Sequence, residues 1–198
     1  MPETSGSEPA ASDTDAAGEF SMTEGFHPFR GRSRRSQAAV LLGGFLVWFV
    51  AYAASVTTLG GAAAATAAAA DAVVARRNAA ALASAATGLY FGALWTRAHG
   101  GPLLNVVYVL GVQVFVPGRA YALGGTPPEH VLSAADSSFV LLLADPAWIL
   151  HRAVTILPGF AVFALVLAVW GATLSPDEQD AFVESHLPEA WLDLRETE

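Results

Sequence analysis

The stretch "DAVVARRNAAALASAATGLYFGALW", residues 71–95, has the composition of a transmembrane helix but carries two arginines near its start. A single helix over 62–96 would be about 52 Å long at 1.5 Å per residue. That length exceeds the roughly 30 Å hydrocarbon core of a bilayer, so only part of such a helix can lie in lipid. The topology of the chain follows from which part is immersed.

Two immersed segments are conceivable, and the charged residues distinguish them. Immersing 62–78 would place Asp71, Arg76 and Arg77 in or near hydrocarbon, at up to about 2.5–3.5 kcal/mol for each charge. Immersing 79–96 leaves both arginines at the membrane edge, where their side chains can reach the headgroups. The sequence therefore predicts a membrane span at 79–96.

Two longer apolar runs predict further spans. Residues 38–59 and 153–174 each contain 22 residues without a charge, and about 20 residues suffice to cross the hydrocarbon core. Of the 198 residues, 54% are hydrophobic and only 14% are charged, which is unusual for a water-soluble domain. We therefore expect a multi-pass protein of the plasma membrane, in contact with the lipid bilayer.

A fourth span is predicted at 102–120, where Pro102 suits the first position of a helix and the following residues are mainly apolar. The apolar stretch 137–150 is short for a crossing, and its length favours an interfacial or re-entrant segment. The predicted fold class is an all-α integral membrane bundle. Its membrane domain, residues 30–174, contains four transmembrane helices and this additional segment.

The orientation is predicted from four arginines directly before the first apolar run, Arg30, Arg32, Arg34 and Arg35. Arginines near a span are retained on the cytoplasmic side, so both tails of a four-span chain are expected in the cytoplasm. The bias over all loops is small, with five arginines on the inner side and four on the outer side. A twin-arginine export signal is disfavoured because the apolar run continues past the cleavage-like "AYA" at 51–53.

Both tails are acidic. Residues 1–29 contain six acidic residues and no arginine, and this composition predicts a disordered tail. Residues 175–198 begin with "SPDE", which has the form of a capping box and predicts a short amphipathic helix. Its apolar side is expected on the bilayer surface, with a frayed tail as the alternative. All ten basic residues are arginine, a composition typical of a halophile or of a GC-rich genome.

Three polar residues of the predicted third span form a candidate site. Gln113 lies about 80° around the helix from Asn105, and Tyr108 lies about 60° to the other side of Asn105. Such a stripe can line a path through the membrane, or it can hydrogen-bond to neighbouring helices. We favour the second interpretation.

Asp145, His151 and Arg152 form a second candidate site at the start of the last span. Ionisable residues within membrane segments are functional candidates because burying them is costly. These residues could build a proton-coupled or anion-binding site. We favour a simpler interpretation, in which Asp145 caps a helix at the interface and Arg152 is anchored among phosphates, since nothing in the sequence requires their burial.

Gly88 and Gly92 form a GxxxG motif within the predicted second span. Paired glycines allow two helix backbones to approach closely. The motif can mediate self-association or contact with another membrane protein, or it can pack against a helix of the same chain. We favour packing within the chain, because a four-helix protein already offers partner helices.

Common catalytic motifs do not occur in the sequence. The absence of cysteine and lysine excludes disulfides, thiolate metal sites and a Walker A motif, and there is no HExxH or GxSxG sequence. We expect no cofactor, no metal and no nucleic-acid partner. The favoured function is that of a non-catalytic membrane protein acting by helix packing or as an accessory subunit. A small transporter or channel component is the alternative, and an intramembrane enzyme is least favoured.

Overall fold

The computed structural model describes residues 26–65, 67, 69–109, 146–189 and 192, with the backbone alone at 146–153 and 155. All regular structure in these residues is helical, which confirms the all-α class for this part of the chain. The helices are α1 (Arg34–Gly60), the 3-10 helix η1 (Ala62–Ala65), α2 (Ala70–Trp95), helical residues 102–109, α3 (Pro146–Thr173) and α4 (Pro176–His186).

Several predicted features lie outside the described residues. These are the tail over 1–25, the second half of the third span over 110–120, residues 137–145 of the interfacial segment, and most of the chain after 189. The last part of that segment, 146–150, belongs to the beginning of α3.

Helix α1 extends beyond the predicted span at 38–59. At its start, the Ser33 hydroxyl oxygen accepts a hydrogen bond from the backbone N–H of Ser36 at 3.3 Å, which is the role of an N-cap. At its end, Gly61 adopts a φ of +76° and donates its N–H to the Thr57 carbonyl oxygen at 2.9 Å. The helix therefore has 27 residues, because its capping residues lie outside the apolar run.

The stretch 71–95 lies within α2, and its two arginines lie near the start of that helix. The chain does not continue as one helix from 62, since the separate 3-10 helix η1 lies between α1 and α2. The Arg76 guanidinium donates from Nη1 to the carbonyl oxygens of Ala64 and Ala67, at 2.7 and 2.6 Å. Arg76 therefore holds the alanine-rich turn against α2, whereas Arg77 is exposed.

Helix α2 contacts both other long helices, and α1 packs against it in the antiparallel direction. A Cβ added to Gly43, in the first half of α1, would meet the ring of Tyr90, near the end of α2. A Cβ added to Gly60, at the end of α1, would lie 2.9 Å from Ala75 Cβ, near the start of α2. The two helices therefore run in opposite directions.

Helix α3 packs against α2 in the parallel direction. Gly159 donates its N–H to Ser84 Oγ at 3.0 Å, and further along both helices the rings of Trp95 and Trp170 are 5.6 Å apart. Helices α2 and α3 therefore run the same way. The helical residues 102–109 follow α2 and pack against the same core.

Two of the helices are long and apolar enough to cross a membrane. They are α1 and residues Ile156–Thr173 of α3, each with a mean hydropathy of 2.1. The core helix of a soluble protein would be mostly buried, but only 22% of the apolar window in α1 and 11% of that in α3 are buried. Their exposed apolar surface weakly supports a membrane protein, because large apolar patches are rare on monomers in water.

Large apolar side chains lie on the outer surface of all three long helices. The buried side chains are instead mainly those of small residues, together with a few aromatic rings. The exposed large side chains include Leu42, Leu46, Phe49 and Val50 of α1, Val73, Val74, Leu82 and Leu89 of α2, and Leu157, Leu165 and Val169 of α3.

Residues 26–29, which the sequence assigned to the acidic tail, are packed against the bundle. Phe29 is 0% exposed, and its N–H donates to the Gly100 carbonyl oxygen at 3.2 Å. The Phe26 carbonyl oxygen accepts a hydrogen bond from Gln37 Nε2 at 3.4 Å. The packed region therefore begins earlier than the predicted boundary, because a buried aromatic ring fixes the last residues before the arginines.

Candidate functional site

The interface between α2 and α3, called here the α2/α3 seam, is formed by small residues. Ser84, Gly88 and Gly92 follow one another at intervals of four residues and are all buried on one face of α2. A Cβ at Gly88 would overlap the backbone carbonyl of Gly159, and a Cβ at Gly92 would come within 3.0 Å of Val166 Cβ. Both glycines of the predicted motif thus lie against α3 of their own chain.

The α2/α3 seam has a polar contact beside Pro158. A proline inside a helix has no N–H and disturbs the hydrogen bonds of the preceding turn. The N–H of the next residue, Gly159, donates to Ser84 Oγ at 3.0 Å, and the Ser84 hydroxyl donates to the Ile156 carbonyl oxygen at 3.3 Å. A serine of the neighbouring helix thus hydrogen-bonds to backbone groups on both sides of the proline.

The interface between α1 and α2, called here the α1/α2 seam, is built differently. Gly43 and Gly44 leave two gaps in α1, which the rings of Tyr90 and Phe91 fill. The Tyr90 hydroxyl donates to the Val40 carbonyl oxygen at 3.2 Å. In this seam a side chain of α2 enters α1, whereas in the α2/α3 seam the two backbones meet.

The ends of the long helices that carry the arginines form one surface, called here the arginine end, which comprises residues 26–35, 95–105 and 170–189. An aromatic cluster joins these segments. The ring centroids of Phe182 and Trp170 are 4.8 Å apart, those of Phe182 and Trp95 are 5.6 Å apart, and those of Phe29 and Trp95 are 5.8 Å apart. Phe182 of α4 therefore faces the bundle, where the sequence suggested the bilayer surface.

Arg30 fastens α4 to the chain before α1. Its backbone N–H donates to the His186 carbonyl oxygen at 2.8 Å, and its Nη1 donates to the Glu184 carbonyl oxygen at 3.2 Å. Its Nη2 lies 3.4 Å from a carboxylate oxygen of Glu189. Because both charged groups are exposed to solvent, this ion pair contributes little to stability.

The other arginines of the predicted topogenic cluster also lie at the arginine end. Arg32 Nε donates to the Ala98 carbonyl oxygen at 3.1 Å. Arg34 and Arg35 are exposed in the first turn of α1. The cluster therefore surrounds the start of α1, on the side where α2 and α3 end.

The capping box predicted at the start of α4 is confirmed. The Ser175 N–H donates to Glu178 Oε2 at 2.8 Å, and the Glu178 N–H donates to Ser175 Oγ at 3.3 Å. The backbone N–H of Ser175, and after it the Ser175 hydroxyl, lower the pKa of the Glu178 carboxyl below its ordinary value by hydrogen-bonding to the carboxylate.

Asn105 and Tyr108 of the predicted polar stripe each contact residues of this chain. Asn105 is fully buried and its Nδ2 donates to the His99 carbonyl oxygen at 2.9 Å, so its amide holds the turn that follows α2. Gly100 in that turn has a φ of +86° and no space for a Cβ beside Asn105. The Tyr108 ring is 5.9 Å from that of Phe91.

The remaining candidate residues are not brought together by the described structure. Gln113 and Asp145 lie outside the described residues, and His151 and Arg152 are described only as backbone in the first turns of α3. The proposed cluster of Asp145, His151 and Arg152 therefore stays a prediction.

Sequence reasoning missed the main role of Ser84. In the sequence Ser84 is one of many small residues before the GxxxG motif, although Pro158 on another helix signals a need for hydrogen bonds. No local pattern shows which residue meets that need, because the two lie 74 positions apart in the sequence.

Comparisons of the chain with protein families, with curated proteins and with solved structures gave no match. The function is therefore inferred from the residues and contacts of this chain. The arrangement provides two tight helix seams, an apolar outer surface and one end rich in arginine and aromatic residues.

Proposed function

We propose that this protein is a non-catalytic, multi-pass subunit of the plasma membrane that acts through the surfaces of a tightly packed bundle. One observation carries the proposal, namely that the buried polar side chains of the described residues each donate to a backbone carbonyl of the same chain. The donors and acceptors are Gln37 to Phe26, Ser84 to Ile156, Thr87 to Ala83 and Asn105 to His99.

Hydrogen bonds of this kind favour a packing role over a transport role. A polar side chain that lines an aqueous path has to exchange hydrogen bonds with water or with a passing solute. A side chain bonded to a neighbouring helix or turn instead holds the bundle together, at about 0.6–2 kcal/mol per contact. The interior donors therefore support the interpretation as hydrogen-bonded glue, whereas the buried Asn105 Oδ1 has no hydrogen-bond partner within the described residues.

The four-span arrangement is supported by the parallel packing of α2 and α3. Helices α1 and α2 are antiparallel, whereas α2 and α3 are parallel. If all three cross the membrane, the chain between α2 and α3 has to cross it once more. The predicted span at 102–120 supplies that crossing, and it begins with the helical residues 102–109. An even number of crossings places both tails at the arginine end, which we assign to the cytoplasmic side because of its arginines.

A flux assay tests the packing role against the transport role. The full-length protein is reconstituted into vesicles that contain a pH-sensitive or a chloride-sensitive dye, and proton or chloride movement is followed after a gradient is imposed. We expect no flux above that of protein-free vesicles. Flux that disappears in Gln113→Leu or Asp145→Asn, while both variants still insert, would establish a transporter instead.

A photo-crosslinking amino acid tests action through the outer surface. Placed at Leu46 of α1 or at Leu165 of α3, which are 64% and 61% exposed, it reports what covers each face in native membranes. We expect a protein adduct of discrete mass from at least one face, and none from the buried control position Phe91. Adducts with lipid alone from both faces would contradict a role as a subunit.

A further inference from the structure

A cleft of about 410 Å³ lies at the arginine end, between residues 27–32 and residues 188–189. Arg30 and Arg32 line it from the segment before α1, and Glu189 lines it from the segment after α4. With His27 also in its wall, the cleft combines basic side chains with one carboxylate among the residues that the structure describes.

Both arginines of the cleft are held in place by backbone carbonyls. Arg32 uses its Nε for Ala98, and within the described residues this is the only hydrogen bond of its guanidinium, so the two Nη groups remain available as donors. Arg30 uses its Nη1 for Glu184. A guanidinium presents its N–H groups in a fork that matches the oxygens of a phosphate.

Glu189 occupies the position that an anion would take beside Arg30. The distance from Arg30 Nη2 to Glu189 Oε1 is 3.4 Å, and the side chains are 38% and 87% exposed. An exposed pair of this length is weak, so a phosphate group can replace the carboxylate.

The neighbouring side chains indicate the depth of the cleft. Phe29 lines the cleft and also packs against Trp95, which in turn packs against Trp170. Tryptophan concentrates at the level of lipid headgroups, and basic side chains beside a span attract anionic lipids. The cleft therefore faces the layer in which phospholipid phosphates lie.

We propose that this cleft binds the phosphate of an anionic phospholipid, with Arg30 and Arg32 as donors and Glu189 as an internal competitor. The inference rests on the proposed membrane embedding. It predicts opposite changes for the two kinds of charge, since loss of an arginine weakens lipid binding and loss of the competing carboxylate strengthens it.

Native mass spectrometry of the full chain tests the site. The protein is offered phosphatidylglycerol and phosphatidylcholine in equal amounts in detergent, and the ratio of the two lipid adducts is measured. We expect phosphatidylglycerol to predominate. Arg30→Gln and Arg32→Gln should each lower the ratio about five-fold, the equivalent of roughly 1 kcal/mol per arginine near a membrane surface. Glu189→Gln should raise the ratio of phosphatidylglycerol to phosphatidylcholine adducts, a change that a misfolded protein would not produce. Arg77→Gln, at the opposite end of the bundle from the cleft, should leave the ratio unchanged.

Four results would overturn the proposal. Equal uptake of both lipids shows an embedded protein whose cleft does not select an anionic lipid, because phosphatidylcholine carries a phosphate as well. Uptake of neither lipid contradicts the proposed membrane embedding. Equal losses in Arg34→Gln and Arg35→Gln would show a diffuse positive field in place of the cleft. Displacement of phosphatidylglycerol by millimolar glycerol phosphate would assign the cleft to a soluble phosphate ester. If glycerol phosphate does not displace phosphatidylglycerol, the result supports the lipid as the ligand.

Discussion

The two seams of α2 both depend on glycine, but they use it in different ways. In the α2/α3 seam, Gly88 allows the backbone of α2 to touch the backbone of α3 at Gly159. In the α1/α2 seam, Gly43 and Gly44 provide gaps for the rings of Tyr90 and Phe91. A backbone carbonyl within a helix cannot move aside, whereas the end of a side chain can, so the first seam should tolerate substitution far less than the second.

For the proposed membrane protein, the comparison also separates two ways in which a bundle gains stability. Helices in lipid gain little from hiding apolar surface, so close contact and hydrogen bonds have to supply the attraction. The α2/α3 seam combines both through Ser84 and Gly88, whereas the α1/α2 seam relies mainly on filling space. The loss of stability on substitution can therefore be ranked by the atoms that an added group would contact, or by the hydrogen bond that a deleted group had made.

The largest effect is expected for Gly88→Ala. The new Cβ would overlap the Gly159 carbonyl, and α2 and α3 would have to separate. Overpacking typically costs about 1–3 kcal/mol, and we expect the upper end of that range. Thermal unfolding in detergent measures it, with Gly171→Ala as the control because nothing lies within 4 Å of a Cβ there. Equal melting temperatures for the two variants would show that the helices do not meet at Gly88.

Ser84→Ala should cost about 1–2 kcal/mol, because the buried N–H of Gly159 loses its hydrogen bond to Ser84 Oγ. Thr87→Val is the matched control, since the Thr87 hydroxyl donates only within its own helix, to Ala83 at 2.8 Å. In a Pro158→Ala background a regular helix can satisfy the Gly159 N–H, so the cost of Ser84→Ala should fall to less than half. An undiminished cost in that background would argue against the link between Ser84 and Pro158.

The α1/α2 seam should give a smaller, graded response. Gly44→Ala meets the ring of Phe91, which is fully buried and has little room to move, so we expect a loss of about 1–2 kcal/mol. Gly43→Ala meets the hydroxyl end of Tyr90, whose ring is only partly buried and can turn away, so the expected loss is under about 1 kcal/mol. Unfolding in detergent measures both losses. A larger loss for Gly43→Ala than for Gly44→Ala would contradict this description of the seam.

The smallest effect is expected outside both seams, at the capping box of α4. Hydrogen bonds from Ser175 lower the pKa of Glu178, so the capping contribution is fully present above the ordinary glutamate pKa and is lost as the pH falls through the lowered one. The carbon chemical shift of the Glu178 carboxyl follows this titration. Ser175→Ala should move the midpoint upward toward the ordinary value, and Glu184→Gln should leave it in place. An unchanged midpoint in Ser175→Ala would show that the hydrogen bonds from Ser175 do not lower the pKa of Glu178.

Local patterns in the sequence predicted much of the secondary structure. The uncharged runs at 38–59 and 153–174 lie within the described helices α1 and α3, apart from the last residue of the second run. The "SPDE" sequence gave the capping box of α4, because each of its interactions joins residues at most three positions apart.

The contacts between helices could not be predicted in the same way. The burial of Phe29 depends on Trp95 and Phe182, which lie far from it in the sequence. The role of Asn105 depends on the turn that precedes it, where Gly100 adopts a positive φ that the spacing of polar residues does not reveal. Such long-range pairings have no periodic signature, so the helices could be predicted with more success than the candidate sites.

The membrane arrangement can be measured by the labelling of single cysteines, since the chain contains none. Ala63→Cys lies in η1, Arg97→Cys follows the end of α2, and Glu184→Cys lies in α4. With an impermeant maleimide on intact cells, we predict labelling of Ala63→Cys alone, and of all three variants after permeabilisation. Labelling of Arg97→Cys together with Ala63→Cys in intact cells would show that α2 does not cross the membrane, and would contradict the four-span bundle.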